Sequence, residues 1–214
     1  MNKMVLFDLD GTVLDTQQDI ADCMNMAIVE LGYEARSYQE YRKVIGNDAP
    51  NFVRKLLGDM PYDKLMEIWN YYLPFVHEHG TEKTTFFSGM KEVIKVLKER
   101  GFKLIAYTNK TPEENKPFEE KFLKDLEFDW VMAVGGTKHA KPSATGVQMA
   151  LDKFGVLPEN AYLVGDGETD VLTAINAKIN CIAVLWGNRD REFLAEYGAT
   201  VFAEKPEQLL DLIK

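Results

Sequence analysis

Six short runs rich in Val, Ile, Leu, Phe and Tyr, at residues 4–7, 103–107, 130–134, 161–164, 181–184 and, weakly, 199–202, recur between longer amphipathic segments. The runs lack polar alternation. A strand wetted on one face alternates apolar with polar residues, whereas a strand covered on both faces does not. Such runs, separated by helical patterns, therefore read as parallel strands with helices on either side. The expectation is an α/β fold built on an open, Rossmann-like parallel sheet.

The intervening segments support it. Residues 89–100 carry Met90, Val93, Ile94 and Leu97 at helical spacing and stop at Gly101, and residues 143–154 carry Val147, Ala150, Leu151 and Phe154 and stop at Gly155. Residues 169–178 and 206–213 are further helices by the same reading. One region breaks the rhythm. From residue 17 to about 85 there are only helical stretches, at 19–31, 38–45, 49–57 and 61–78. A βα unit returns to the sheet after roughly 10–15 helical residues. Residues 16–86 are thus expected to form a small helical cap domain inserted into an α/β core of residues 1–15 and 87–214. Hinges fall near 15–18 and 84–89, since loop tips tolerate insertions. The aromatics Trp69, Tyr71 and Tyr72 are expected to pack within that insertion.

Composition narrows the partners. The 214 residues are long enough to bury a sizeable core, and a formal charge of −9 argues against nucleic acid or an anionic membrane as the main partner. The apolar runs are far shorter than a membrane span and no leader pattern opens the chain, so a cytoplasmic protein is expected. Cys23 and Cys181 have no CxxC partner and read as core thiols. The sequence carries no signal for an oligomeric state.

In an open parallel sheet, ligands bind outside the carboxyl ends of the strands. The first run is followed by Asp8, Asp10, Gly11 and Thr12, the second by Thr108, Asn109 and Lys110, the third by Lys141 after a Gly-Gly turn, and the fourth by Asp166 and Asp170. The sheet would bring these distant residues to one edge. Asp8, Asp10, Asp166 and Asp170 form an oxygen-rich set suited to a hard cation such as Mg²⁺, while Lys141, Thr108 and Asn109 suit phosphoryl oxygens. Each motif singly admits a structural reading: "DGT" as a turn, Thr108 as the cap of the helix that Pro112 opens, Lys141 as solvated surface. Their conjunction at successive strand ends favours phosphoryl-transfer chemistry, which is mostly positioning and electrostatic stabilisation.

With "DLDGTVLDT" at residues 8–16, "YTNK" at 107–110, "AKPSA" at 140–144 and "VGDGETDV" at 164–171, the chain resembles the haloacid dehalogenase superfamily of phosphohydrolases, most closely its phosphoglycolate phosphatase branch. The resemblance implies a Mg²⁺-dependent hydrolase of a small phosphorylated metabolite working through an aspartyl-phosphate. It makes Asp8 the nucleophile and Asp10 the general acid and base, with Thr108, Asn109 and Lys141 at the phosphoryl group. Asp8, the Asp10 main-chain carbonyl, Asp166 and Asp170 would hold or orient the metal. The insertion resembles the family's small cap, which implies substrate recognition there; Arg42, Lys43, Arg54 and Lys64 within it read either as solvated surface or as cations for a second anionic group. As bounded, the cap carries 11 acidic and seven basic residues. Ser143 and Ala144, Gly167, and the pair Ala177 and Lys178 depart from the family pattern without removing a catalytic group. A phosphosugar mutase, an inorganic pyrophosphatase and a catalytically silent interaction protein are the alternatives that share this fold.

Overall fold

The computed structural model describes residues 2–214. The described residues form eight strands: β1 (Met4–Phe7), β2 (Leu14–Asp15), β3 (Thr85–Phe86), β4 (Lys103–Thr108), β5 (Trp130–Ala133), β6 (Ala161–Gly165), β7 (Asn180–Val184) and β8 (Phe202–Ala203). Six of them form one sheet in the order β5-β4-β1-β6-β7-β8, and each of its pairings is parallel. The β2 and β3 strands make a separate antiparallel pair.

Alternation along β1 sorts its side chains into two layers. Val5 and Phe7 pack into the layer that holds Met90, Val93, Ile94 and Leu97, while Met4 and Leu6 pack with Val147, Ala150 and Leu151. Every one of these is buried, and each buried Leu, Ile or Phe stabilises the fold by roughly 1.5–3 kcal/mol. The chain runs outward from β1 to β5 on one side, then crosses back to β6 on the other. That reversal places a crevice at the carboxyl end of β1. Phe7 stands opposite Ala106 and Val164, and the Asp8 amide still donates to the Val164 carbonyl at 2.9 Å. Residues just past 7, 107 and 165 therefore emerge at one edge.

The helices are α1 (Gln17–Glu30), α2 (Tyr38–Arg42), α3 (Ala49–Leu57), α4 (Tyr62–His79), α5 (Met90–Glu99), α6 (Pro112–Phe118), α7 (Thr145–Phe154), α8 (Glu168–Ala177), α9 (Arg191–Glu196) and α10 (Leu209–Leu212). The first four lie between β2 and β3. Trp69 and Tyr72 are buried there against Phe52 and each other, but Tyr71 is 40% exposed and its hydroxyl donates to Glu30. The Asp19 carboxylate accepts the amides of Lys83 and Thr84 and the Thr84 hydroxyl, which ties the start of the inserted segment to its end.

Several boundaries differ from the sequence reading. The α2 helix stops at Arg42 rather than 45, because the chain turns through Gly46 at φ 95°. The last strand is Phe202–Ala203 rather than 199–202, since the Ala199 amide is still closing the end of α9 on the Leu194 carbonyl. Residues 206–208 form a 3₁₀ turn before α10, with the Gln208 side chain accepting the amides of Glu204 and Lys205. Thr111, not Thr108, caps α6, in a reciprocal capping box with Glu114. Cys23 is buried, and Cys181 is half-buried in β7. Among the described residues, no helix is long and apolar enough to cross a membrane.

Candidate active site

Asp8 leaves the sheet at the end of β1 with 3% of its surface exposed. The chain then folds back sharply, with the Leu9 carbonyl accepting the amides of Val13 and Leu14 at 3.0 and 2.9 Å. Gly11 makes that turn at φ 80°, and a Cβ there would lie 2.3 Å from an Asp166 carboxylate oxygen. Gly165 permits a second close approach: a Cβ there would sit 2.2 Å from the Asp170 carboxyl carbon. These two glycines let three carboxylates crowd together. One oxygen of each of Asp8, Asp166 and Asp170 lies within 4.8 Å of the others, and all three residues are buried.

Each carboxylate is separately supported. Asp166 accepts the Asn188 amide at 2.6 Å, the Asn188 side-chain amide at 2.8 Å and the Thr12 hydroxyl at 3.3 Å. Asp170, in the first turn of α8, accepts the Gly167 amide at 3.1 Å. Lys141 stands between Asp8 and Asp170, 2.7 Å from each. Burial and then the charge of Asp170 push Asp8 up to about 7, with Lys141 opposing. Burial and then Asp8 push Asp166 up to about 6. Lys141 is held above the ordinary lysine range, because Asp170 and Asp8 outweigh the burial that disfavours its charge. Asp8 and Asp170 share one ammonium while Asp166 has only neutral donors, which leaves negative charge uncompensated. The all-oxygen donor set fits a hard divalent cation, which would resolve that repulsion.

Asp10 lines the same cavity as Asp8. Its two carboxylate oxygens are each 2.5 Å from the Lys110 ammonium, and one also accepts the Thr16 hydroxyl at 2.5 Å. Lys110 is 4% exposed and its ammonium lies 4.6 Å from the centre of the Phe118 ring. Glu114 lies close by on α6, where burial lifts it to about 7 against the pull of Lys110, and it accepts the Tyr72 hydroxyl of α4 at 3.5 Å.

The structure thus brings Asp8, Asp10, Thr108, Asn109, Lys141, Asp166 and Asp170 to one edge of the sheet. Thr108 lines the cavity, and its hydroxyl accepts the Lys110 amide at 3.1 Å. The Asn109 side chain is already committed. It accepts the Lys141 amide at 2.7 Å and donates to the carbonyls of Lys141 and Gly46, so it braces Lys141 and meets the inserted helices.

Arg42, Lys43, Arg54 and Lys64, in the segment between β2 and β3, are not among the residues lining the cavity. Arg42 donates to the carbonyls of Gly187 and Asn188, Arg54 pairs with Asn51 and Asp59, and Lys64 pairs with Glu67. Lys43 is exposed and borders an outer groove with Arg42 and Arg189. Lys110 and Glu114 escaped the sequence reading as site residues, although Lys110 ends the strand-end run "YTNK". Glu114 carried no signal beyond its place three residues after Thr111.

Comparison with known proteins follows the same lines. The profile of the haloacid dehalogenase-like hydrolases matches residues 5–184. A phosphoglycolate phosphatase of Aquifex aeolicus is 30% identical over 186 residues, covering 86% of this chain and 85% of that protein. One from Pseudomonas fluorescens is 25% identical over 221 residues, covering 99% and 77%. A crystal structure from Lactobacillus delbrueckii subsp. bulgaricus superposes with a TM-score of 0.89 at 26% identity, over 100% of this chain and 99% of that one.

Proposed function

The chain belongs to the haloacid dehalogenase-like hydrolases, and from that premise we propose that this phosphatase hydrolyses a small phosphate monoester through a phosphorylated Asp8 with Mg²⁺ as its cofactor. The observation that carries the reading is the convergence of Lys141, Asp166 and Asp170 on the Asp8 carboxylate, with Asp10 and Thr108 on the same cavity. Phosphoglycolate, named for the relatives, is the first substrate to try.

In the first step, an Asp8 oxygen attacks phosphorus and the ester P–O bond breaks. Asp10 hands a proton to the departing alkoxide. Lys141 balances the phosphoryl charge from below, and the Thr108 hydroxyl donates to a phosphoryl oxygen. In the second step, Asp10 takes a proton from water as that water attacks the phosphoaspartate, which returns Asp8 and releases phosphate. Asp8, Asp166, Asp170 and the Asp10 carbonyl would hold Mg²⁺, which when bound supplies positive charge that lets an anionic nucleophile approach an anionic ester. Lys110 and Thr16 hold the ionised Asp10 carboxylate at the cavity wall, the form that takes the proton from water in the second step. Residues 16–86 act as the cap over a core of residues 1–15 and 87–214. The cavity leaves a water-sized sphere about 20 Å³, room for about one water molecule, so the helices over it shift to admit substrate. The protein works in the cytoplasm.

Acid quenching during turnover should trap a phosphoenzyme that hydroxylamine cleaves. The Asp8→Asn variant should form none and release no phosphate over multiple turnovers. Turnover retained by that variant would overturn the assignment.

A further inference from the structure

Above Asp8 and Asp10, the inserted helices close the cavity with Ile20, Ile45, Phe52 and Trp69, together with Gly46 and Asn47. This wall is uncharged. Asn47 is already occupied, its amide donating to the Val44 carbonyl at 2.8 Å and its oxygen accepting Lys55 at 2.7 Å. Trp69 is different. It is 4% exposed, its ring is wedged between Phe52 and Tyr72, and its Nε1–H is buried without an acceptor. A buried donor left unpaired is unfavourable, and buried indole N–H groups ordinarily find a partner.

Charge limits what that partner can be. Among the described residues lining the cavity, Lys110 is the one cation, and both oxygens of Asp10 hold it. Lys141 is held by Asp8 and Asp170 below. Lys55, which bonds the cavity-lining Asn47, is half exposed and also pairs with Glu168. A carboxylate on the leaving group would be buried beside Asp10 and Glu114 with no cation of its own, and a buried charge without a partner is strongly disfavoured. A hydroxyl or carbonyl oxygen meets no such penalty.

We infer that the leaving group is a small uncharged alcohol bearing one further hydrogen-bond acceptor, and that the Trp69 indole N–H recognises that acceptor. The inference rests on the phosphatase reading and narrows its substrate class.

Three phosphate esters separate the possibilities: 2-hydroxyethyl phosphate, its carboxylate counterpart phosphoglycolate, and methyl phosphate, whose leaving group has no second acceptor. With Mg²⁺ and the full chain, kcat/KM should favour 2-hydroxyethyl phosphate over phosphoglycolate by about tenfold or more, the scale of one hydrogen bond or one ill-placed charge. Trp69→Phe keeps the ring and deletes the donor. It should lower kcat/KM about tenfold more for 2-hydroxyethyl phosphate than for methyl phosphate. A wild-type preference for phosphoglycolate would overturn the inference while leaving a phosphatase. Equal losses on both alcohol esters would overturn the role of Trp69, since a merely structural effect moves them together. No phosphate from any monoester, in protein shown to be folded, would overturn the phosphatase reading itself. The wild-type comparison stands even if the variant folds poorly.

Discussion

The floor and the roof of the cavity are built differently. Below, every carboxylate that leaves the sheet has a donor: Asn188 and Thr12 for Asp166, Gly167 and Lys141 for Asp170, Lys141 for Asp8. Above, the wall is uncharged and one indole donor is left unpaired. A networked floor fixed to strand ends keeps its geometry whatever the leaving group, as phosphoryl transfer requires. The uncharged roof, on the reading proposed above, leaves selectivity to shape and to single hydrogen bonds, and it touches the floor through Asn109 and Glu114.

The largest test of this contrast removes the cation of the floor. Lys141→Met leaves Asp8 and Asp170 without their shared ammonium. Turnover should fall by about a thousandfold or more, as when a charge stabilising the transition state is lost, read by phosphate release at saturating Mg²⁺. The roof should stay unaltered, so the preference among the three esters should survive in the residual activity.

A smaller effect is expected where the floor meets its wall. Lys110→Met frees Asp10 from the ion pair that positions it. General-acid catalysis contributes typically 10²–10⁴-fold, so kcat on an alkyl phosphate should drop by about a hundredfold. The drop should be far smaller on p-nitrophenyl phosphate, whose leaving group needs no proton. Equal losses on both would mean that Lys110 serves the fold rather than Asp10.

The smallest effect concerns Glu114, which joins the two regions through Tyr72. Its folded value is raised from 4.5 to about 7 by burial, against the attraction of Lys110. The fold thus favours the neutral acid. The stability linked to it is fully present below pH 4.5 and is lost as pH rises through about 7. Denaturant titration across that window should show wild-type stability declining by up to about 3 kcal/mol from this group. In Glu114→Gln that component of the slope should vanish. An unchanged slope would place the group outside the coupling between roof and floor.

The strand-end aspartates were legible because an apolar run that stops abruptly at a charge marks both the strand and its terminus. Asp8 and Asp166 are therefore both marked by sequence alone. The parallel pairing was legible for the same reason, since unalternating runs need cover on both faces. For Arg42, Arg54 and Lys64 the sequence left two readings open, because a cation on an amphipathic helix looks the same locally whether it meets substrate, a backbone carbonyl or a neighbouring carboxylate. Lys110 was visible as a strand-end residue, yet nothing local distinguishes a lysine aimed at Asp10 from one in solvent.

What the sequence determined by itself was the order of elements and the set of groups delivered to one edge of the sheet, because periodicity and chain termination are local properties. Tertiary structure alone decided which ammonium each carboxylate shares, that Asn109 braces Lys141, and that Trp69 closes the roof with its N–H unpaired. Those outcomes depend on contacts between residues tens of positions apart, where burial removes water and makes each polar group find a partner from another element.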